Sequence, residues 1–449
     1  MTNPIRELLN TAKWRDADLA SLVLTVRHRG AQDDQRSIGG AAIDDIGAEG
    51  FECDDVVIPY HRVLRIERDG RAIWPDVEPV MQPSNATIEV ASDDDTRVDA
   101  WRELTRDVAV VTGDEDRLRL DGRAGEGGGQ VLRSSLTLSM ITGRPFELHH
   151  IRGGRKKDGL LRQHLTCVRA ASEICGAKVQ GAELRSTSLV FEPGAVESGS
   201  YSFDVGTAGS AALVAQTLLP ALALAGGGEL TVRGGTHADW APLAPFLEHA
   251  YLPAIAAMGF RCEMETRAYG FYPAGGGELH FRIEHAKPTS FEVVDLGEAP
   301  LEAEAIVAHL PESIARRELS MLAERVDEPM RLRASTVRSP GPGNAVWLRA
   351  SGALTNVFSA VGAKRVLAED LAIDIAGRYA RWRTSGAMVE EYLADQLMVP
   401  LALAGGEYTA SEWSLHARTN RAVLEAFGYP LEVHSLDEAD RSRVRVRKV

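Results

Sequence analysis

Cysteine, net positive charge and long apolar runs are all scarce in this chain of 449 residues. The four cysteines, Cys53, Cys167, Cys175 and Cys262, form no CxxC pair, which argues against a structural zinc site. Four thiols in so long a chain make no disulfide framework either and fit a reducing cytosol. The longest apolar stretch, near Leu218 to Ala225, is too short to span a bilayer and contains Pro220. The first residues, Met1-Thr2-Asn3-Pro4-Ile5-Arg6, show no basic-then-apolar leader pattern. A cytoplasmic protein without membrane attachment is the expectation. Acids exceed bases to a formal net charge of −14, which argues against broad nucleic-acid coating and stable duplex DNA binding. A local basic pocket for a single nucleic-acid end remains compatible with that balance.

What is present divides along the chain. Residues 1–82 form a first unit, with helical apolar spacing from Ile5 to Trp14 and strand-like runs at Ser21–His28 and Val56–Ile66. Residues 83–116 read as an acidic linker with one short helix near Trp101, since Ser92 to Asp116 holds nine acids and three arginines. The main body, 117–296 and 388–449, repeats itself. Thr217-Leu-Leu-Pro-Ala-Leu-Ala-Leu-Ala-Gly resembles Gln396-Leu-Met-Val-Pro-Leu-Ala-Leu-Ala-Gly, and Leu136 to Gly143 has the same sense of a helix stopped by a left-handed glycine. Three strand–helix units predict an α/β (α+β) fold, with residues 297–387 as a smaller α/β insertion between the second and third copies.

Several segments can carry chemistry. Asp121-Gly-Arg-Ala-Gly-Glu-Gly-Gly-Gly-Gln130 is a glycine-dense loop opening a helix, a place where free N–H groups favour anions. It lacks the Gly-Lys-Ser/Thr of a P-loop, and a tight turn with a solvated Glu126 accounts for the same residues. From His149 to Arg169 six Lys/Arg meet one acid, Asp158, so Arg152 and Arg155 can converge on a phosphate; a solvated basic turn is the alternative. Gly206-Thr-Ala-Gly-Ser210 permits close approach of a ligand or of a helix. Asp395, beside an apolar run, needs a metal, a donor or solvent. His416 and His237 occupy matching places in the repeat, and symmetry alone does not choose between them. In the first unit His28-Arg29 and His61-Arg62 end apolar runs and suit a small cationic pocket or two surface strand ends.

The combination resembles the RNA 3′-terminal phosphate cyclase family over residues 118 to about 440. The resemblance rests on Leu120 to Gln130, Ile151 to Arg155, Gly159 to Leu165, Gly270 to Gly277 and Tyr392 to Gln396. Residues 1 to about 80 resemble an RNA cyclic-group end-recognition domain through Pro4 to Asn10, His28-Arg29-Gly30 and Ile58 to Arg62. The resemblance implies that ATP and RNA 3′-phosphate ends are the partners, with a 2′,3′-cyclic phosphate as product and AMP carried on a histidine, here His416. It implies Glu126 and Asp395 as carboxylates for Mg²⁺ or Mn²⁺, and Arg133, Arg152, Arg155, Gln163 and His164 around phosphate and RNA. It implies nucleotide contacts from Gln216, Pro242, Phe246, Tyr392, Leu393, Ala394, Asp395 and Gln396. His28, Arg29, His61 and Arg62 would serve the RNA end in the first unit. The Ser411-Glu-Trp stretch before His416 departs from the family's small polar residues. A catalytically inactive RNA-end-binding relative is the alternative, and an enolpyruvyl transferase would need neither a nucleophilic His416 nor an RNA-end module. Homodimerisation is left open.

Overall fold

The computed structural model describes residues 117–292, 301–351, 354–436 and 444–448, and, before them, 5, 8–9, 12, 19–27, 35–43, 45–46, 50–53, 56–60, 63–68 and 71–74. His28, Arg29, His61, Arg62 and the acidic linker with Trp101 lie outside the described residues. The chain divides into two compact units, Met1–Ser92 and Asp93–Val449.

In the first unit, β1 (Leu22–Arg27) and β2 (Gln35–Gly39) join the short β3 (Asp45–Ile46), β4 (Gly50–Cys53) and β5 (Val56–Pro59), then β6 (Val63–Arg68) and β7 (Arg71–Trp74). The sheets run β2-β1-β6-β7 and β3-β4-β5. Alternation explains β1: Leu22, Leu24 and Val26 are buried while Val23 is exposed. Ile5, Leu9 and Ala12, spaced at helical intervals, join the same core.

The second unit is built from three copies of one strand–helix–strand–helix–strand–strand pattern. The first copy comprises β8 (Leu118–Asp121), α1 (Gln130–Thr142), β9 (Phe146–His149), α2 (Arg162–Cys175), β10 (Lys178–Gln180) and β11 (Leu189–Glu192). The second comprises β12 (Gly199–Asp204), α3 (Ala211–Leu224), β13 (Gly228–Gly234), β14 (Cys262–Ala268) and β15 (Gly277–Ile283). Its second helical segment, α4, runs through Ala244–Phe246, a π turn Leu247–Tyr251 and Leu252–Ala257. The third opens with the two-residue β16 (Phe291–Glu292). The chain then leaves for the insertion: β17 (Leu301–Ala308), α5 (Ser313–Arg325), β18 (Met330–Thr336), β19 (Gly343–Ala350), β20 (Asn356–Val361) and α6 (Ala368–Ser385). It returns through α7 (Glu391–Ala404), β21 (Gly406–Ala410), α8 (Leu415–Ala426), β22 (Leu431–Ser435) and β23 (Val444–Lys448).

Within each copy the four strands lie in the spatial order first, second, fourth, third. The first two strands are parallel, β8 with β9, β12 with β13, β16 with β21, as a helical crossover requires. Because β16 pairs with β21, the insertion interrupts the third copy after its first strand and does not fall between copies. The leading helices are linked through side chains, Thr137 to the Thr217 carbonyl, Gln130 to Asp395 and Gln216 to Gln396. Eleven of the fourteen residues of α3 are buried, the pattern of a helix packed on every side. The helix stops are less uniform than the sequence suggests. Gly143 closes α1 in the left-handed region at φ 71°, whereas Ala225 closes α3 and Gly405 closes α7 with other geometry.

The insertion has its own core between α5, α6 and one sheet face, including Leu319, Phe358 and Trp382. From the opposite face Ile306, Ala345 and Trp347 join the core of the three-copy body. Among the described residues no helix is long and apolar enough to cross a membrane.

Candidate active site

The site forms where the N-terminal turns of α1, α7 and α8 meet. Ser414 caps α8, its side chain accepting from Ala417 N at 3.2 Å, which sets His416 in the first turn. Glu390 caps α7, accepting from Leu393 N at 2.6 Å and Tyr392 N at 3.0 Å, which places Asp395 one turn in. The glycine loop before α1 packs on the basic turn after β9. Gly127 has φ 56°, and a Cβ there would come within 2.5 Å of Gly154, so only glycine lets the two loops nest.

A line of polar contacts runs across the three helices. Arg155 Nη2 donates to Glu126 Oε2 at 2.6 Å, and the same oxygen lies 3.0 Å from His416 Nε2. His416 Nδ1 meets Gln130 Oε1. Gln130 Nε2 donates to Asp395 Oδ1 at 2.5 Å. Asn420 Nδ2 donates to Asp395 O at 3.1 Å, and Ser134 Oγ donates to Asn420 Oδ1 at 2.7 Å. The amide of Gln130 sets the histidine tautomer. Its nitrogen must face the carboxylate, so its oxygen faces the ring, and Nδ1 carries the proton. In the neutral ring the lone pair then sits on Nε2, beside Glu126. Burial raises the pKa of Asp395, against the opposing pull of His416, the Gln130 hydrogen bond and Arg133.

Beside this line opens a cleft bounded by Arg133, Gln216, Tyr251, Asp395, Gln396 and Asn420 among others. The Gln216 amide donates to Gln396 Oε1 across the matched helices α3 and α7. Pro220 and Pro400 lie four residues further along, where each lacks the N–H that would bond the Gln216 or Gln396 carbonyl. The cations crowd together. Burial lowers the pKa of Arg133. Burial, then Arg155 and Arg185, lower that of Arg152. His164 is driven to about 3 by burial and by Arg133 and Arg152, so it is neutral, and its buried Nδ1 has no hydrogen-bond partner. A Cβ on Gly129 would sit 2.3 Å from His164 Nε2 and 3.0 Å from Arg133, which places all three against the helix start. Gln163 Oε1 accepts from Ser210 N at 2.8 Å.

The structure therefore gathers Glu126, Arg155, Asp395 and His416 along one line of contacts, with Arg133, Gln216 and Gln396 on the adjoining cleft. Other expected residues lie elsewhere. Leu393 and Ala394 are wholly buried with their side chains in the core. Phe246 is a core residue and Pro242 is half-buried; neither lines the cleft, where Tyr251 and Pro220 stand. Tyr392 is exposed, with the Arg378 guanidinium 5.8 Å from its ring centre. His237 is buried among Tyr269, Phe271 and Trp347, bonded through Nδ1 to Thr236 Oγ1 at 2.9 Å, with burial holding its pKa near 3. The repeat match of His237 with His416 thus ends in an aromatic cluster on one side and a polar cleft on the other. Gln130, Ser134 and Asn420 were not singled out in the sequence; the only signal was the place of Gln130 at the end of the glycine loop.

Among the described residues no group of three or more His, Cys, Asp or Glu could cage a metal ion. Glu126 is engaged by Arg155 and His416, and Asp395 by Gln130 and Asn420. That donor set suits a hard cation held by one or two carboxylates together with substrate phosphates, the usual Mg²⁺ arrangement, and does not suit a resident all-protein site.

Comparison with known proteins completes the picture. The profile of the family described as RTC: RNA 3′-terminal phosphate cyclase matches residues 124–430. A curated RNA 3′-terminal phosphate cyclase of Koribacter versatilis (strain Ellin345) is 46% identical over 333 residues, which covers 72% of this chain and 93% of that protein.

Proposed function

This chain belongs to the RNA 3′-terminal phosphate cyclase family, and on that premise we propose that it converts RNA 3′-phosphate ends to 2′,3′-cyclic phosphates at the expense of ATP. The observation that carries the reading is a histidine bonded through Nδ1 to Gln130 and 3.0 Å from Glu126 through Nε2, next to a cleft bounded by Arg133. His416 Nε2 attacks the α-phosphorus of ATP, the P–N bond forms, and the α–β bridging bond breaks to release diphosphate. Glu126, 3.0 Å from Nε2, is the group placed to accept a proton from that nitrogen before it attacks. Asp395 acts through Gln130 and holds Nδ1 protonated.

The AMP then passes to an oxygen of the RNA 3′-phosphate, breaking the P–N bond and forming a pyrophosphate linkage. The neighbouring 2′-oxygen attacks the 3′-phosphorus, loses its proton and expels AMP. Arg133, Arg152 and Arg155 offset the negative charge of both phosphates. Glu126 and Asp395 would hold Mg²⁺ or Mn²⁺ with the triphosphate, and the bound ion would supply charge neutralisation as diphosphate departs. Gln216 and Gln396 would contact the nucleotide. Incubation with α-labelled ATP and Mg²⁺ tests the reading: label should remain on the denatured protein and chase into RNA carrying a 3′-phosphate. Protein that stays unlabelled while still binding RNA ends would make it a non-catalytic relative.

A further inference from the structure

Two aromatic side chains stand in water without a structural task. Trp240 is 84% exposed and Tyr272 76%, more than any other large hydrophobic residue described. Rings of this size normally contribute to a core or meet a partner. Trp240 is held out by its own backbone, at φ 61°, a conformation disfavoured for any residue with a side chain. The same loop turns His237 and Ala238 inward, so exposure of the ring is local to Trp240.

The two rings share one rigid support. His237 pairs with Phe271 as a parallel bridge, and the N–H groups of Thr236 and His237 both donate to Gly270 O at 3.0 and 3.1 Å. Tyr272 follows that bridge by one residue and Trp240 by three. Gly275 N closes the second loop onto Phe271 O at 2.7 Å.

This support is continuous with the arginine cluster. Gly275 packs against the backbone of Thr207 and Ala208, and that loop ends at Ser210, whose N–H is held by Gln163. Gln163 precedes His164, which stands beside Arg133. On the far side Gly276 meets Pro340 of the insertion, next to exposed Arg338 and His309. Asp239 is the acid beside Trp240, so the rings suit base faces better than phosphates.

We propose that Trp240 and Tyr272 form a ledge on which unpaired bases of the substrate RNA stack while its 3′-phosphate lies at the arginine cluster. The inference rests on the reading of that cluster as an RNA-end site. Stacking is indifferent to sequence, because every base has an aromatic face, and it requires a single strand. Both features suit an activity directed at ends.

The full-length Trp240→Ala/Tyr272→Ala double variant tests this by fluorescence anisotropy. The probe is a single-stranded, 3′-phosphorylated RNA of about ten nucleotides, within the span of a single-strand groove. Its Kd should rise about tenfold or more, while a 3′-phosphorylated dinucleotide binds as before and AMP labelling keeps its ATP requirement. Trp240→Phe/Tyr272→Phe should restore the longer RNA. An unchanged Kd for the longer RNA would overturn the proposal. So would a raised ATP requirement with normal RNA binding, which would place adenine on the ledge, or a changed sedimentation with normal RNA binding, which would make it a protein contact. Absence of AMP labelling in the unaltered protein would count against the cyclase reading, and anisotropy would still report the ledge.

Discussion

At the scale of single residues, the site is a relay in which each group fixes the next. His416→Asn should abolish AMP labelling. Gln130→Ala should retain the nucleophile but free its tautomer, cutting the labelling rate by about a hundredfold or more, the usual worth of a positioned proton partner. Conversely, His237→Ala should keep labelling and lose about 3 kcal/mol of stability, because it empties a ring-sized space among Tyr269, Phe271 and Trp347. Labelling rates and urea midpoints on the three variants check this; label on the His416 variant would sink the nucleophile assignment. The carboxylates carry a separate expectation. Glu126→Ala and Asp395→Ala should each raise the Mg²⁺ concentration needed for labelling, since each would hold one side of the ion. Metal titrations matching the unaltered protein in both variants would remove the shared ion.

Among elements, the insertion carries a device of its own. Glu318 on α5 is buried, takes a hydrogen bond from Asn344 Nδ2 of β19 at 3.0 Å, and leaves Oε1 without a partner. Burial pushes its pKa up to about 7, with Asn344 and Arg317 opposing and Glu369 reinforcing. A raised carboxyl binds its proton more tightly folded than unfolded. Its contribution is therefore full below the ordinary carboxyl range near 4.5 and is lost as pH rises through about 7. The loss is at most about 3 kcal/mol, from a shift of this size. Glu318→Gln should flatten that dependence and be the more stable protein at pH above about 8, read by denaturant unfolding at two pH values. A parallel pH slope in both proteins would contradict it.

The elements also show what could be read beforehand. The matched helices α3 and α7 were legible because each couples an apolar run to a proline and a glycine stop. The start of the third copy was not, because β16 has two residues and no pattern of its own; its identity comes from pairing with β21. Gln130 and Asn420 stayed hidden for a related reason. Their roles arise only when α1, α7 and α8 converge, and nothing local marks them. Phe246 was drawn toward the nucleotide by resemblance, whereas the structure turns it from the first turn of α4 into the core and leaves Tyr251, a full π turn later, at the cleft.

For the whole molecule, the cleft and the relay belong entirely to the second unit, and the family match begins at residue 124, beyond the first unit. The first unit has a core of its own, with Leu22, Leu24, Phe51 and Ile66 among others. We expect it to serve the RNA end and not the nucleotide, with His28, Arg29, His61 and Arg62 as the cationic groups. The acidic composition of residues 83–116 is in keeping with such a division: a linker of that composition would repel RNA and would raise the local concentration of one unit at the other. The two half-reactions separate the roles. Deleting residues 1–82 should leave AMP labelling at its full rate, since that step involves only ATP and His416. It should raise the RNA concentration needed for half-maximal cyclisation, or narrow the set of ends accepted. Replacing the four cationic residues together in the intact chain should reproduce the RNA effect, which guards against a deletion that merely unfolds the body. Unchanged RNA affinity and end preference in both proteins would assign the first unit to stability or to another partner, and leave the ledge and the arginine cluster as the RNA-binding surface of the molecule.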